Sequence, residues 1–242
     1  MFNIYKMLLF PYVKLISWLR FYKFSEFCFA KDFNKGNIKR CAILCPGSNL
    51  AKFPPVCNDY DFVISINLAA VLDVDIDIMM VERLDLSTFG VAQSSLIKKR
   101  GCKVVFKNIW DWNSKNDTSC LDPKKDRYYI EIPLRLSKLF SFQTVCKYMK
   151  HETIAPSSWK SSLFNAVQVA QMTGAESIDI FGSMGDSGYI WECDDILLLD
   201  VPEVRAVKSQ SIHGTRVGVN ANDVFKIAYK EYISTGKVRV VK

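Results

Sequence analysis

Histidine is scarce in this chain, whose 242 residues contain only His151 and His213. The eight cysteines form no CxxC pair and no Cys/His cluster with zinc spacing, so we expect them to be small buried hydrophobic residues in a reducing compartment. Neither a GxGxxG fingerprint nor a GxxxxGK[ST] loop is present. These absences argue against a structural zinc site, a standard dinucleotide-binding motif and a P-loop.

Basic charge is unevenly distributed. The net charge is +7, and residues 1–40 hold eight basic side chains against Glu26 and Asp32. A nucleic-acid-binding protein usually spreads its basic side chains over the folded domain. We therefore expect no nucleic-acid partner, and a different acidic partner for the first forty residues.

The first 37 residues are predicted to be a basic, aromatic amphipathic segment. They contain neither an apolar stretch of the roughly 20 residues that a bilayer span needs nor a signal-peptide pattern. On a helical wheel one face carries Ile4, Met7, Leu8, Leu15, Trp18, Leu19 and Tyr22, and the opposite face carries Lys6, Lys14, Arg20 and Lys23. We expect residues 1–30 to lie on an anionic inner-membrane surface, so that the protein is cytoplasmic and peripheral. A helix packed on the domain or on a partner, or a transmembrane anchor, remains open.

Residues 38–242 are predicted to form one α/β domain. Strands are expected at 41–45, 61–67, 77–82, 102–107, 128–132, 177–181 and 238–241, and helices at 87–99, 161–173 and 222–234. Short apolar strands alternating with helices indicate a mostly parallel, Rossmann-like sheet with helices on both faces. Residues 108–126 and 183–212 are predicted to be irregular loops.

Several polar residues follow the predicted strands, where ligands bind in such folds. Gly47, Ser48 and Asn49 form a turn whose backbone amides could approach a phosphate. Asn67 ends the second strand and suits a nucleobase or a sugar carboxylate, although an Asn there also favours a turn. Glu82 follows the third strand. The acidic residues Asp73, Asp75 and Asp77 precede that strand instead, so we predict no metal site there.

The later part of the chain adds four candidates. Ser161 and Ser162 open a helix whose N-terminus offers free amides, although helix capping also explains them. Gly182 follows the strand at 177–181. His213 lies in a polar loop and is of the type that acts as a general base near neutral pH.

These blocks resemble the bacterial sialyltransferases and a related lipopolysaccharide Kdo transferase family. CAILCPGSNL is similar to their first strand and turn, DFVISIN to their second strand, and SSLFNAVQVAQMTGAESIDIFGSMGD to their Thr-Ser-Gly helix and the strand after it. The end of the chain, from His213 through NDVFKIAYKEYISTGKVRVV, is similar to their catalytic histidine, last helix and last strand. The opening turn is Pro-Gly-Ser-Asn rather than Asn-Gly-Pro-Ser, and Leu163 replaces the glycine of Thr-Ser-Gly.

The resemblance implies a GT-A-like variant of the sheet and an inverting, metal-independent glycosyl transfer without a cofactor. The donor would be CMP-activated Kdo or sialic acid, and the acceptor a lipid-linked or surface glycan such as lipopolysaccharide. His213 would be the general base, and Tyr189 the counterpart of the tyrosines near the leaving phosphate. Donor-binding positions would be Gly47, Ser48, Asn49, Asn67, Glu82, Ser161, Ser162 and Gly182.

Two other interpretations stay open. A nucleotide-dependent pterin diphosphokinase or flagellin-modification protein shares this strand-and-turn pattern, and ATP with magnesium at Asp75 and Asp77 would favour it. A non-catalytic, membrane-bound partner in glycan assembly would bind no nucleotide. The sequence does not decide between Kdo and sialic acid, or whether the chain forms a homo-oligomer.

Overall fold

The structure, a computed structural model, describes residues 37–53, 59–108, 116–130, 162–183, 188–193, 197–208 and 236–241. Within these residues seven strands form one sheet in which every neighbouring pair is parallel. The strands are β1 (Arg40–Leu44), β2 (Phe62–Ile66), β3 (Ile78–Val81), β4 (Lys103–Asn108), β5 (Arg127–Ile130), β6 (Ser177–Phe181) and β7 (Val238–Val240). The predicted parallel α/β sheet is confirmed.

The strand order is β5-β4-β3-β2-β1-β6-β7. The chain therefore builds the sheet from β1 outward to β5, and then adds β6 and β7 on the other side of β1. This strand order is that of a doubly wound, Rossmann-like fold. The side on which successive strands are added changes between β1 and β6, although all the strands are parallel.

The central strands are almost entirely apolar because both faces of a covered parallel sheet are buried. In β1 the residues from Cys41 to Leu44 are buried, and all five residues of β2 are buried. Burial raises the pKa of the Cys45 thiol, just beyond β1, to about 12, so that this sulfur stays neutral. The five cysteines within the described residues are free thiols; Cys41 and Cys45 are buried as predicted, whereas Cys102, Cys120 and Cys193 are only partly buried.

Helix α1 (Thr88–Arg100) connects β3 to β4. Its N-terminus is capped by Ser87, whose hydroxyl oxygen accepts a hydrogen bond from the Gly90 amide at 3.1 Å. Gly101 ends it with φ = 60°, the left-handed conformation that glycine adopts at little cost. The Arg100 guanidinium donates to carbonyl oxygens in the segment after β2, those of Ala70, Leu72 and Val74. The C-terminal end of α1 is thereby tied to that segment.

Helix α2 (Ser162–Met172) packs against β1 and β2. Small and branched side chains make this contact, and Ala166, Val167, Val169 and Ala170 are fully buried. Gly174 follows the helix with φ = 81°, which confirms the predicted glycine stop.

Most predicted elements lie within one or two residues of the observed ones, but the segment 183–212 does not fit its prediction as an irregular loop. Its described part contains a 3₁₀ helix at Ile190–Glu192 and helix α3 (Pro202–Arg205), which packs on α1. A further 3₁₀ helix at Asn67–Val71 was not predicted. Four predictions lie outside the described residues: the amphipathic leader up to residue 36, the helix at 222–234, Ser161 and His213.

A buried carboxylate ties β7 to the sheet. Asp179 on β6 is 2% exposed, and its oxygens accept hydrogen bonds from Arg239 at 2.7 and 2.6 Å, from Tyr60 at 2.9 Å and from Arg40 at 3.3 Å. Burial acts to raise the pKa of Asp179, but the hydrogen bonds from Arg239 and Tyr60 outweigh it and hold the pKa below its usual value. Burial and the bond to Asp179 raise the pKa of Tyr60 to about 12.

Among the helices that the structure describes, none has the length and apolar character needed to cross a bilayer.

Candidate functional site

Doubly wound folds bind ligands where the strand order reverses, and in this sheet that point lies between β1 and β6. β1 leads to β2 on one side, whereas β6 leads to β7 on the other, so the strands that follow these two neighbours in sequence lie on opposite sides of them. Such divergence opens a crevice at the carboxyl ends of the strands. The turns after β1 and β6, at residues 45–49 and 182–183, form this part of the sheet edge.

These two turns pack directly against each other. The Gly47 amide donates to the Gly182 carbonyl oxygen at 3.0 Å, and the Cys45 amide donates to the Phe181 carbonyl oxygen at 2.8 Å. A Cβ atom on Gly47 would lie 2.4 Å from the Gly182 oxygen, and one on Gly182 would lie 2.0 Å from the Cys45 oxygen. Gly182 also has φ = 73°. Both glycines are therefore required by the contact between the turns, whatever ligand binds there.

The contact between the turns also occupies amides that the sequence offered to a phosphate. Besides the Gly47 amide, the Ser48 amide donates to the Gly188 carbonyl oxygen at 3.3 Å. Neither amide is directed at a ligand in this arrangement. Asn49 differs, because its side-chain oxygen is buried and has no hydrogen-bond partner among the described residues. With the Gly47 and Ser48 amides already engaged, the polar groups left in this turn include its side chains, of which the Asn49 oxygen is buried and unpartnered among the described residues.

Tyr189 lies against the first turn. It forms an isolated antiparallel bridge with Gly47, and the next amide, of Ile190, donates to the Pro46 carbonyl oxygen at 3.0 Å. The Tyr189 ring stacks on Trp191, with ring centroids 4.4 Å apart and planes inclined by 8°. Burial, and secondarily the charge of Glu192, raises the pKa of the Tyr189 hydroxyl. The hydroxyl therefore stays protonated through neutral pH and can donate a hydrogen bond.

Asn67 follows β2 with φ = 52°, so the turn-forming role suggested by its position is observed. Its side chain is also held: the Asn67 oxygen Oδ1 accepts a hydrogen bond from Nε2 of Gln93 at 2.9 Å. Gln93, on α1, is completely buried. Sequence reasoning missed Gln93, because a glutamine inside a predicted helix gives no sign of what it faces.

Glu82, directly after β3, lies beside the first residue of α2. The Ser162 hydroxyl is 3.4 Å from Oε2 of Glu82, although the two residues are 80 positions apart in sequence. A helix N-terminus favours a negative charge, so the position of this carboxylate is electrostatically favourable. The structure thus brings together two residues that were singled out separately.

All these residues lie on one edge of the sheet, the carboxyl edge. β6, β1, β2 and β3 are consecutive neighbours, and the ends of neighbouring strands are aligned to within one residue. Neighbouring strands are about 4.8 Å apart, so the ends of β6 and β3 are separated by about 14 Å. That distance is comparable to the length of a nucleotide carrying a sugar.

The acidic run before β3 lies elsewhere. Asp73, Asp75 and Asp77 precede β3, which places them at the opposite, amino edge of the sheet. Asp77 is engaged in the fold, because one of its carboxylate oxygens accepts the Val63 amide at 2.9 Å. Among the described residues no group of His, Cys, Asp or Glu side chains is arranged to hold a metal ion.

Comparison with known proteins adds no family assignment. No protein-family model matches the chain, and a search of curated proteins finds none with significant similarity.

Proposed function

We propose that the chain is a glycosyltransferase that takes a 2-keto acid sugar, Kdo or sialic acid, from a CMP-activated donor. One observation carries the proposal. The polar residues of the family-like blocks lie at the ends of β1, β2, β3 and β6 and at the N-terminus of α2. These positions are all on the carboxyl edge of the sheet, beside the point where the strand order reverses. Ligands bind at this edge in doubly wound folds.

Glu82 supports a cytidine nucleotide. An ionised carboxylate only accepts hydrogen bonds, so it suits a ligand group that donates, such as a ribose hydroxyl or the amine of cytosine. Pyrimidines that carry a carbonyl oxygen in place of that amine, as uracil does, would meet the carboxylate with an acceptor. The position of Glu82 beside Ser162, 3.4 Å away, keeps it at the carboxyl edge.

The chemistry proposed is an inverting displacement at the anomeric carbon. His213 removes the proton of the acceptor hydroxyl as the sugar–phosphate bond breaks and CMP leaves. The protonated Tyr189 hydroxyl stabilises the charge on the departing phosphate. CMP leaves as a monophosphate, so the reaction does not call for a metal ion to neutralise a diphosphate. The acceptor is a lipopolysaccharide or another surface glycan, reached from the inner membrane through residues 1–30.

The test is a thermal-shift panel of CMP, CDP, UDP, GDP and ATP, each with and without magnesium. A ligand that binds only the folded state stabilises it, by about 2.7 kcal/mol at a hundred times its Kd. We expect CMP to stabilise the protein without metal. Stabilisation only by ATP with magnesium would contradict the proposal and favour a diphosphokinase, and no stabilisation by any nucleotide would favour a non-catalytic partner.

Two variants locate the binding on the structure. Asn67→Gly removes the amide but keeps the left-handed backbone that residue 67 adopts at φ = 52°. It should stay folded and bind CMP about tenfold more weakly. The matched control is Asp75→Asn, which removes an exposed carboxylate at the amino edge. It should bind CMP as the wild type does. An equal loss of CMP affinity in both variants would show that CMP does not bind at the carboxyl edge.

A further inference from the structure

A buried glutamine links a backbone amide to the candidate donor-binding asparagine. Gln93 has no exposed surface. Its oxygen Oε1 accepts a hydrogen bond from the Arg83 backbone amide at 2.9 Å, and its nitrogen Nε2 donates to Oδ1 of Asn67 at 2.9 Å. Both ends of the glutamine amide are therefore in use, one on the turn after β3 and the other at the end of β2.

This chain of bonds has only one consistent polarity. A backbone N–H can only donate, so the group that faces the Arg83 amide must be the oxygen of Gln93. The NH₂ group of Gln93 then faces Asn67, which must present its own oxygen. The NH₂ group of Asn67 is consequently the end that points away from Gln93, and it makes no hydrogen bond to the described residues. The orientation of the Asn67 amide thus follows from a backbone donor and does not depend on how either amide was placed.

We propose that Gln93 is a positioning residue that holds the Asn67 amide with its NH₂ group toward the ligand, so that Asn67 binds a hydrogen-bond acceptor of the activated sugar. This inference rests on the proposed function and narrows it. The acceptor is an oxygen of the cytosine ring, the phosphate or the sugar carboxylate. A ligand that presents only donors at this position would leave two NH groups facing each other and would bind poorly.

The variant Gln93→Glu tests the polarity through pH. A protonated carboxyl can imitate the glutamine, since its C=O accepts from the Arg83 amide and its O–H donates to Asn67. An ionised carboxylate only accepts, so it would turn the Asn67 NH₂ group inward and point Oδ1 at the ligand. Burial raises a glutamate pKa, in documented cases to about 8–9, so the switch falls in an accessible pH range.

The probe for this titration is CMP, measured by calorimetry near about pH 7 and about pH 9.5, on either side of such a raised pKa. At the lower pH the variant should bind CMP within about threefold of the wild type, and at the higher pH about 10- to 100-fold more weakly. Charged groups on and near α1 include Lys98, Lys99 and Arg100 on the helix itself, Asp117 close to Lys98, Glu82, Arg83 and Asp85 in the preceding turn, and Glu203 and Arg205 on α3. The wild type carries all of them, so its own pH profile is subtracted.

A second variant keeps the test informative if Gln93→Glu does not fold. Asn67→Asp still accepts from Gln93 but offers the ligand an acceptor in place of a donor, and Asn67 is partly exposed, so that folding should tolerate it. It should weaken CMP binding by about 10- to 100-fold at neutral pH. The matched control is Gln171→Leu on α2, which removes a buried amide nitrogen that has no hydrogen-bond partner among the described residues.

Three probes, cytidine, CMP and CMP-sialic acid, identify the ligand oxygen that accepts the hydrogen bond from Asn67. That oxygen belongs to the smallest probe whose binding weakens in Asn67→Asp. If Gln93→Glu binds CMP like the wild type at both pH values, or is weakened by the same factor at both, the positioning role is overturned while the proposed function stands. If the wild type binds none of the three probes, the proposed function fails and this inference fails with it.

Discussion

Replacing Gly182 by alanine should separate the two turns that form the crevice. The new methyl group would lie 2.0 Å from the Cys45 carbonyl oxygen and 3.1 Å from Cβ of Leu50. That oxygen belongs to the backbone of the residue directly after β1, so it cannot move aside as a flexible side chain would. The turn after β6 must therefore shift away from the turn after β1. That shift breaks the hydrogen bond from the Gly47 amide to the Gly182 oxygen, now 3.0 Å long, and weakens the neighbouring bond from Cys45 to Phe181.

The expected loss of stability has two parts. Residue 182 has φ = 73°, and an alanine in the left-handed region costs about 1–2 kcal/mol. The broken bond and the weakened bond together cost about 2 kcal/mol, which is the packing contribution. The total of about 3–4 kcal/mol corresponds to a fall in Tm of about 6–16 °C for a domain of this size.

Gly174→Ala provides the matched control. Gly174 has a similar φ of 81°, but no atom lies within 4 Å of the position that a Cβ would take. Its free energy of unfolding should fall only by the cost of an alanine in the left-handed region, about 1–2 kcal/mol. Urea unfolding of both variants measures the difference, which we expect to be about 2 kcal/mol in the direction of Gly182→Ala. Equal destabilisation would show that the turns do not pack as described.

Four further outcomes are expected. Tyr189→Phe keeps the ring but loses the hydroxyl donor, so transfer should slow by about 100- to 1,000-fold in a turnover assay. Glu82→Gln can donate as well as accept, so the preference for CMP over UMP in competitive binding should fall by about tenfold. Asp179→Asn should cost about 1.5–3 kcal/mol in urea unfolding at neutral pH. Because the folded pKa of Asp179 is depressed, the wild type should hold this stability above the unfolded pKa of about 3.9 and lose it as the pH falls through the folded value. His213→Ala should lower turnover by about two to four orders of magnitude while the protein remains folded, and unchanged transfer would refute its role.

The strands could be predicted from the sequence because each is a short apolar run bounded by polar residues or glycine. β6 was predicted with its observed limits, and β1 is shifted by one residue. The candidate site could be predicted only in part. Asn67 and Glu82 stand out because they follow apolar strands, and the position of residues relative to strand ends is visible in the sequence.

The rest depends on contacts between distant parts of the chain. The Ser162–Glu82 contact joins residues 80 positions apart, and the Gly47–Gly182 contact requires β6 to return beside β1. No local pattern encodes either event. The packing role of the glycines could not be predicted either, because a glycine needed by a neighbouring turn and a glycine needed by a phosphate look the same in a sequence. Gln93 is a second example, because the sequence does not show which groups a buried polar side chain contacts.

Hydrogen exchange with and without CMP tests most directly where the nucleotide binds. The account predicts that CMP slows exchange in peptides covering residues 66–68, 82–84 and 162–164, which lie at the carboxyl edge, and leaves the amino-edge peptide 73–77 unchanged. Slower exchange confined to residues 73–77, or no change at any of these peptides at a saturating CMP concentration, would contradict it.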